Sequence, residues 1–339
     1  VDLLDESFRK FASRDMLAFM EARLSFSQVD ELSRAFAAWL QAQGLQKGAR
    51  VALMMPNIPQ YAVGIAGVLR AGCTVVNVNP LYTARELEHQ LNDSGAETIV
   101  ILENFAHVLE AVIARTKVRR VVVASLGDLL GLKGLLVNFV VRNIKKLVPE
   151  FTLPNATRYN AVIQAGRGLA FQPVAVGHED IAFLQYTGGT TGVSKGAMLL
   201  HRNIIANIEQ MAYWLAPGLD HNAPSIITAL PLYHIFSLPV NCLLMTKLGG
   251  LNILIPNPRD IAGFIKELRR HKYTIFTGVN TLFNALLNHP EFSKLDFSSL
   301  KITAGGGMAV QKAVADRWQA LTGRPLFEGY GLTETSPTA

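Results

Sequence analysis

The sequence of 339 residues is poor in cysteine, with only Cys73 and Cys242. Two cysteines so far apart exclude a disulfide framework and a cysteine-rich zinc site, and they fit a reducing cytoplasm. Both lie in apolar runs without the surroundings of a nucleophile, so we expect them to be small core residues.

Long apolar runs are also lacking, since none reaches the roughly 18 residues of a membrane-spanning helix, and no signal-peptide pattern is present. The nearest candidate is residues 129–148, where an apolar stretch is flanked by Lys133, Arg142, Lys145 and Lys146. A basic amphipathic segment can rest on a membrane surface or pack on the body of the protein, and we favour packing. We expect a cytoplasmic protein and leave open peripheral contact with the inner membrane.

Charged residues are few, at 17%, and the net charge is +6 with a pI near 9.3. This balance suits anionic ligands or an anionic membrane face. No basic stripe interleaved with aromatic residues is visible, so the charge does not predict nucleic-acid binding. Half of the residues are hydrophobic, which predicts a globular protein with a large core.

Short apolar strands alternate with amphipathic helices along most of the chain, which predicts parallel sheets covered on both faces. One helix is marked by a Thr83/Glu86 capping box, and an earlier one by a variant box of Ser27 and Asp30. Residues 126–180 are less regular and are interpreted as a long connection. The fold class expected is α/β, with two αβ layers in one large domain.

A loop rich in glycine and threonine dominates the sequence: residues 186–196 read Tyr-Thr-Gly-Gly-Thr-Thr-Gly-Val-Ser-Lys-Gly. Glycines let backbone N–H groups approach phosphate oxygens, hydroxyls donate further hydrogen bonds, and Lys195 supplies charge. Apolar segments on both sides predict a turn between two strands, whereas a P-loop opens a helix and ends in Gly-Lys-Ser/Thr. A polyphosphate-binding turn is favoured over an ordinary surface turn.

Two further glycine segments follow apolar strands, at residues 305–308 (Gly-Gly-Gly-Met) and 328–334 (Glu-Gly-Tyr-Gly-Leu-Thr-Glu). The phosphate loop and residues 328–334 together resemble the signature motifs of the acyl-adenylate-forming (ANL) superfamily. The detail is closest to bacterial long-chain fatty-acid–CoA ligases of the FadD type, for example in residues 79–95, in Pro231-Leu-Tyr-His-Ile-Phe and in residues 278–287. The resemblance implies two stacked αβ-layered subdomains, approximately residues 45–205 and residues 1–44 plus 206–339.

The resemblance implies ATP-dependent activation of a long-chain fatty acid to acyl-CoA through an acyl-adenylate, with ATP, the fatty acid and CoA as partners and Mg²⁺ as cofactor. Thr187 and Glu334 would bind Mg²⁺, Lys195 and Thr333 the phosphates, and Tyr330 would stack on adenine. His234 would position the carboxylate or gate the acyl channel. The remaining nucleotide-binding positions are Gly188, Gly189, Thr190, Thr191, Gly192, Gly305, Gly306, Gly307, Gly329 and Gly331. The acyl slot would be lined by Leu232, Tyr233, Phe236, Val279, Leu282 and Phe283.

Several parts of the family pattern have no counterpart in these 339 residues: the ribose-binding aspartate, the hinge, the C-terminal lysine and, largely, the closing β-barrel and small C-terminal domain. We therefore expect a fragment that binds ligands but hardly turns over. Two alternatives remain, transfer of the acyl group to a carrier protein and a nucleotide-binding module without ligase activity. A homodimer is also left open.

Overall fold

The computed structural model describes residues 1–187, 193–219 and 224–339. These residues form two compact units, residues 28–202 with Val1, and residues 2–27 with 203–339. Each unit contains a seven-stranded, mostly parallel sheet with helices, so the α/β prediction is confirmed.

The strands, in chain order, are β1 (Asp15–Phe19), β2 (Ala22–Ser25), β3 (Arg50–Met54), β4 (Thr74–Asn77), β5 (Thr98–Leu102), β6 (Arg120–Ala124), β7 (Ala156–Arg158), β8 (Ile181–Thr187), β9 (Lys195–Leu200), β10 (Ser225–Thr228), β11 (Leu251–Leu254), β12 (Ile275–Gly278), β13 (Ile302–Gly306) and β14 (Leu326–Gly329). The helices are α1 (Asp2–Lys10), α2 (Phe26–Ala42), α3 (Pro59–Arg70), α4 (Ala84–Ser94), α5 (Ala106–Glu110), α6 (Leu132–Phe139), α7 (Tyr159–Arg167), α8 (His201–Leu215), α9 (Leu244–Leu248), α10 (Ile261–Arg270), α11 (Asn280–Leu287) and α12 (Lys312–Thr322).

The sheet of the first unit has the order β7-β6-β5-β3-β4-β8-β9, and only the β8–β9 pair is antiparallel. All residues of β4 and β5 are buried, which is typical of parallel strands covered on both faces. The Thr83/Glu86 capping box is confirmed: the Thr83 side chain accepts from Glu86 N–H, and the Glu86 carboxylate accepts from Thr83 N–H.

The sheet of the second unit has the order β14-β13-β12-β10-β11-β1-β2, with β1–β2 as its antiparallel pair. Its core contains an aromatic cluster in which the rings of Phe276 and Phe283 lie 5.3 and 4.8 Å from that of Trp318. The fully buried Trp318 indole donates to Thr303 Oγ1 at 3.1 Å, which fixes α12 against β13.

Helix α2 lies mostly in the first unit, whereas the bounds expected from sequence put residues 28–44 with the second subdomain. Helix α2 belongs to the first unit because it contacts α3. The Arg70 guanidinium, buried in the first unit, donates to Asp30 Oδ1 at 2.5 Å and to Ser33 Oγ at 2.6 Å. The prediction of a Ser27/Asp30 capping box is wrong. Helix α2 begins at Phe26, and the Asp30 carboxylate instead pairs with Arg34 and Arg70.

We expect Asp30→Ala to lower the free energy of unfolding by about 3 kcal/mol, because it leaves the buried Arg70 charge without its carboxylate. Glu31→Ala, at the neighbouring position, removes a pair with Arg167 in which both side chains are about half exposed, and should cost less than about 1 kcal/mol. Urea denaturation of both variants measures the difference. Equal losses would contradict the assigned role of Asp30.

Residues 126–180 contain more regular structure than the sequence predicts, namely α6, β7 and α7. A π-helical stretch, Val140–Ile144, continues α6. Among the helices of the described residues, none is long and apolar enough to cross a membrane. Cys73 and Cys242 are buried and unpaired, as expected, and burial raises their pKa values to about 11 and about 12, so neither is a thiolate at neutral pH.

Candidate functional site

The two ends of the predicted phosphate loop meet at the end of the β8–β9 hairpin. Thr187 is paired with Lys195 across the antiparallel ladder, and Ser194 Oγ donates to the Thr187 carbonyl at 2.6 Å. The two strands predicted on either side of the loop are thus confirmed, and they pair antiparallel. Gly188, Gly189, Thr190, Thr191 and Gly192 lie outside the described residues. The exposed Lys195 side chain stands where the loop returns to the sheet.

Helix α4 supports this hairpin from outside the motif. His89 Nε2 lies 2.9 Å from the Ser194 carbonyl oxygen, and Tyr82, just before the helix, is hydrogen-bonded to the Ser194 side chain. The Tyr186 hydroxyl donates to Asp93 Oδ2 at 2.6 Å. The role of α4 in supporting the hairpin could not be predicted, because these contacts join residues about a hundred positions apart. The capping box predicted only where α4 begins.

The two other glycine segments lie side by side in the second unit. In the parallel β13–β14 ladder, Gly305 is paired with Glu328 and Gly306 with Gly329. Both segments therefore stand at the carboxyl ends of neighbouring strands, the edge at which open α/β sheets bind ligands. Gly307 has φ +77°, which a side chain would strain. Tyr330 is largely exposed beside this edge.

The residues after Tyr330 fold back on themselves. Gly331 forms an antiparallel bridge with Thr338, and Ala339 N–H donates to the Tyr330 carbonyl at 3.1 Å. A Cβ on Gly331 would lie 1.8 Å from the Pro337 carbonyl oxygen, so only glycine allows this close return. Asn207 on α8 donates to the Thr338 carbonyl at 3.0 Å and holds the turn in the second unit.

Thr333 and Glu334 lie on a short 3₁₀ turn, Thr333–Thr335, within this return. Glu334 is exposed, and among the described residues it has neither an ion-pair nor a hydrogen-bond partner. An accessible, unpaired carboxylate fits Mg²⁺, which takes one or two protein oxygens and completes its octahedron with water and phosphate. Thr187, the other predicted ligand, offers a half-buried hydroxyl in the first unit.

His234 lies in the loop after β10. The Phe236 N–H donates to His234 Nδ1 at 3.2 Å, so Nδ1 is the acceptor and Nε2 carries the proton. Part of the residue is solvent-exposed, yet the protein atoms around the imidazole disfavour its charged form, and this desolvation lowers the His234 pKa. A neutral imidazole with an Nε2–H donor can hold an anionic oxygen but is not poised as an acid.

We expect NMR of ¹⁵N-histidine-labelled protein to show His234 as the Nε2–H tautomer with a pKa below 6.5. The folded-state pKa is depressed, so the unfolded chain binds the proton more readily below about pH 6.5 and stability falls on acidification through that range. Loss of the signal in the His234→Asn variant assigns it to His234, and the variant should also lose the part of the pH dependence of stability that His234 causes. An Nδ1–H signal, or a pKa above 6.5, would contradict the assignment.

The predicted acyl-slot residues partly surround the glycine edge. A Cβ on Gly306 would lie 3.1 Å from the Phe236 ring, and one on Gly307 would lie 3.9 Å from Val279. A Cβ on Gly305 would lie 3.4 Å from the Phe283 ring, but Phe283 is fully buried in the aromatic core. Leu282 and Leu232 are also buried, and Tyr233 is half-buried. Phe236 and Val279 thus lie closest to the open part of the edge.

Comparison with known proteins places this arrangement in a family. The family model described as "AMP-binding enzyme" matches residues 4–339. The long-chain-fatty-acid–CoA ligases of Yersinia pestis and Haemophilus influenzae are 56% and 53% identical over 99% of this chain, which covers 60% and 61% of their length. A solved structure of a long-chain-fatty-acid-CoA ligase from Archaeoglobus fulgidus is 27% identical with a TM-score of 0.79, over 99% of this chain and 64% of that one. The chain therefore belongs to the AMP-binding enzyme family and spans about 60% of the length of the curated relatives it matches.

Proposed function

We propose that this chain binds ATP and a long-chain fatty acid and contributes these sites to an AMP-forming long-chain fatty-acid–CoA ligase. The observation that carries the proposal is the pairing of Gly306 with Gly329, which sets two glycine segments side by side at the carboxyl edge of a parallel sheet. The names of the relatives support the acyl substrate and CoA as the acceptor. Cytoplasmic location is part of the proposal.

In the first half-reaction the fatty-acid carboxylate attacks the α-phosphorus of ATP and expels pyrophosphate. In the second, the CoA thiol attacks the acyl carbon of the acyl-adenylate, loses its proton and expels AMP. Neither step needs a nucleophilic side chain, so the protein acts by positioning and charge stabilisation. We assign Lys195 and residues 187–192 to the β- and γ-phosphates, and Thr333 to the α-phosphate. Mg²⁺, when bound by Thr187 and Glu334, would neutralise phosphate charge.

In the second unit, the exposed backbone of Gly307 and Gly329 gives a flat base a place to lie, and the exposed Tyr330 ring can stack on it. The Nε2–H of neutral His234 would hold the carboxylate and then the adenylate oxygen. Phe236 and Val279, near Gly306 and Gly307, would begin the acyl slot. Each methylene buried there contributes about 0.8 kcal/mol, so slot depth ranks chain lengths.

A thermal-shift titration with Mg·ATP, palmitate and a non-hydrolysable palmitoyl-adenylate analogue tests the proposal. We expect the analogue to raise the melting temperature well beyond either substrate, since one ligand then carries both sets of contacts. Stabilisation by ATP alone, with no gain from the acyl part, would instead favour a nucleotide-binding module and overturn the ligase assignment.

A further inference from the structure

The helix formed by α6 and its π-helical continuation turns its apolar stripe away from the protein. Leu132, Leu135, Leu136 and Phe139 recur at helical spacing, and their exposed fractions are 88%, 71%, 66% and 55%. Ile144 and Leu147 continue the exposed apolar surface at 65% and 55%. A packed surface helix shows the opposite arrangement, with its apolar stripe facing the core. These six residues are called the outward face.

The opposite side of the same helix packs on the first unit through Gly134, Asn138 and the buried Val141. A Cβ on Gly134 would lie 1.9 Å from the Gly127 carbonyl oxygen, so the backbones touch there. Asn138 Oδ1 accepts from Gly127 N–H at 2.7 Å. The helix is thus held by contacts that leave the outward face uncovered by the first unit.

An ion-pair network anchors the far end of the segment. Arg142 makes two hydrogen bonds to the buried Glu103 carboxylate, at 3.0 and 2.8 Å, and Arg158 makes a third at 3.0 Å. Asn104 donates to the Leu147 carbonyl at 2.8 Å. Val141 is buried. The exposure of the outward face therefore belongs to an ordered, anchored helix.

The charged residues within the segment itself have one sign. Lys133, Lys145 and Lys146 are exposed, and residues 129–149 contain no acidic residue. Exposed leucines and a phenylalanine bordered by lysines match the interface of an anionic bilayer, where apolar side chains enter the acyl boundary and lysines meet lipid phosphates. A protein partner matching this surface would itself need an apolar centre with an acidic rim.

We propose that the outward face is a membrane-docking surface that lies in the plane of an anionic lipid leaflet. The helix is too short to cross a bilayer, so the contact is peripheral. Leu132, Leu135, Leu136 and Phe139 enter the acyl boundary, while Lys145 and Lys146 bind headgroup phosphates. The inference is independent of the proposed function, because the binding needs neither ATP nor fatty acid.

Flotation with vesicles of phosphatidylglycerol and phosphatidylethanolamine tests the surface directly. We expect the 339-residue chain to float with these vesicles, to float less at high salt, and to float poorly with phosphatidylcholine alone. The triple variant L135S/L136S/F139S should bind at least about tenfold more weakly. The control L81S/L169S/M198S removes three other exposed apolar side chains of the first unit and should bind as the parent chain does.

The lysines are tested in the same way. K145Q/K146Q should weaken binding by about 10- to 30-fold at low salt, whereas K117Q/K266Q, which removes the same charge from exposed positions elsewhere, should weaken it far less. Equal losses in the two double variants would mean that only net charge matters, and would overturn the proposal.

A labelling experiment remains informative even where a serine variant folds poorly. Both native cysteines are buried, so Leu136→Cys takes a polarity-sensitive fluorophore at one site. On adding vesicles its emission should shift to the blue, while the same dye at Leu81→Cys should not respond. No shift at position 136 overturns the proposal. A shift without vesicles that grows with protein concentration would assign the face to self-association instead.

Discussion

Replacing Lys195 by alanine should weaken Mg·ATP binding by about 10- to 100-fold, because the lost contact joins a full positive charge to phosphate oxygens. The side chain is exposed and stands beside Thr187 at the end of the β8–β9 hairpin, so its removal should leave the melting temperature unchanged. Affinity for AMP should hardly change, since AMP lacks the β- and γ-phosphates. Isothermal titration calorimetry with both nucleotides measures the contrast.

Lys117→Ala removes another exposed lysine of the first unit and is the matched control. It should leave both affinities as they are. Equal weakening of ATP and AMP by Lys195→Ala would move the lysine to the α-phosphate or to the base. An unchanged affinity for ATP would remove Lys195 from the site altogether.

Replacing Glu334 by glutamine should abolish most of the gain in ATP affinity that Mg²⁺ provides. The amide keeps the shape of the side chain but loses the charge that makes a carboxylate a ligand of hard cations. We expect affinity in Mg²⁺ to fall on the order of tenfold or more, and affinity in EDTA to stay the same or rise slightly. The ratio of the two dissociation constants is the quantity to measure.

Asp316→Asn, an exposed carboxylate of the second unit that pairs with Lys312, provides the control for altered net charge. A Glu334→Gln variant with an undiminished response to Mg²⁺ would exclude Glu334 as a ligand. The structure leaves this carboxylate without a partner among the described residues, so no protein contact would compensate for its loss.

The sheets were predictable from sequence because parallel strands are continuous apolar runs. The apolar run Thr98–Leu102 forms β5, and all five of its residues are buried. Strands β1 and β2 were missed. Leu17 on β1 pairs with Asn252 on β11, a contact over more than two hundred residues for which no local pattern exists.

Helix ends were predictable only where local chemistry decides them. Thr83 caps α4 through its own hydroxyl and Glu86, and both residues are close in sequence. Asp30 was predicted to cap α2, but its carboxylate instead accepts a hydrogen bond from the buried Arg70, 40 positions away. Tertiary charge pairing thus overrides a local motif that is otherwise sound.

In the candidate site, too, some features were predictable from the sequence and others were not. Glycine content marked the candidate segments, and the register of β13 and β14 sets two of the three side by side. The support that His89 gives to Ser194 could not be predicted, since it depends on how α4 packs. In residues 132–147, periodicity predicted an apolar stripe but could not tell which way it faces, and packing on the protein was favoured. The stripe faces outward.

The most direct test of the central claim is displacement of a fluorescent palmitoyl-adenylate analogue from the chain at equilibrium. We expect saturating Mg·ATP and saturating palmitate each to displace it completely, and the analogue to bind at least about a hundredfold more tightly than either. Displacement by ATP alone would mean that the glycine segments bind a nucleotide without an adjoining acyl slot. That result would contradict the assignment of this chain to fatty-acid activation.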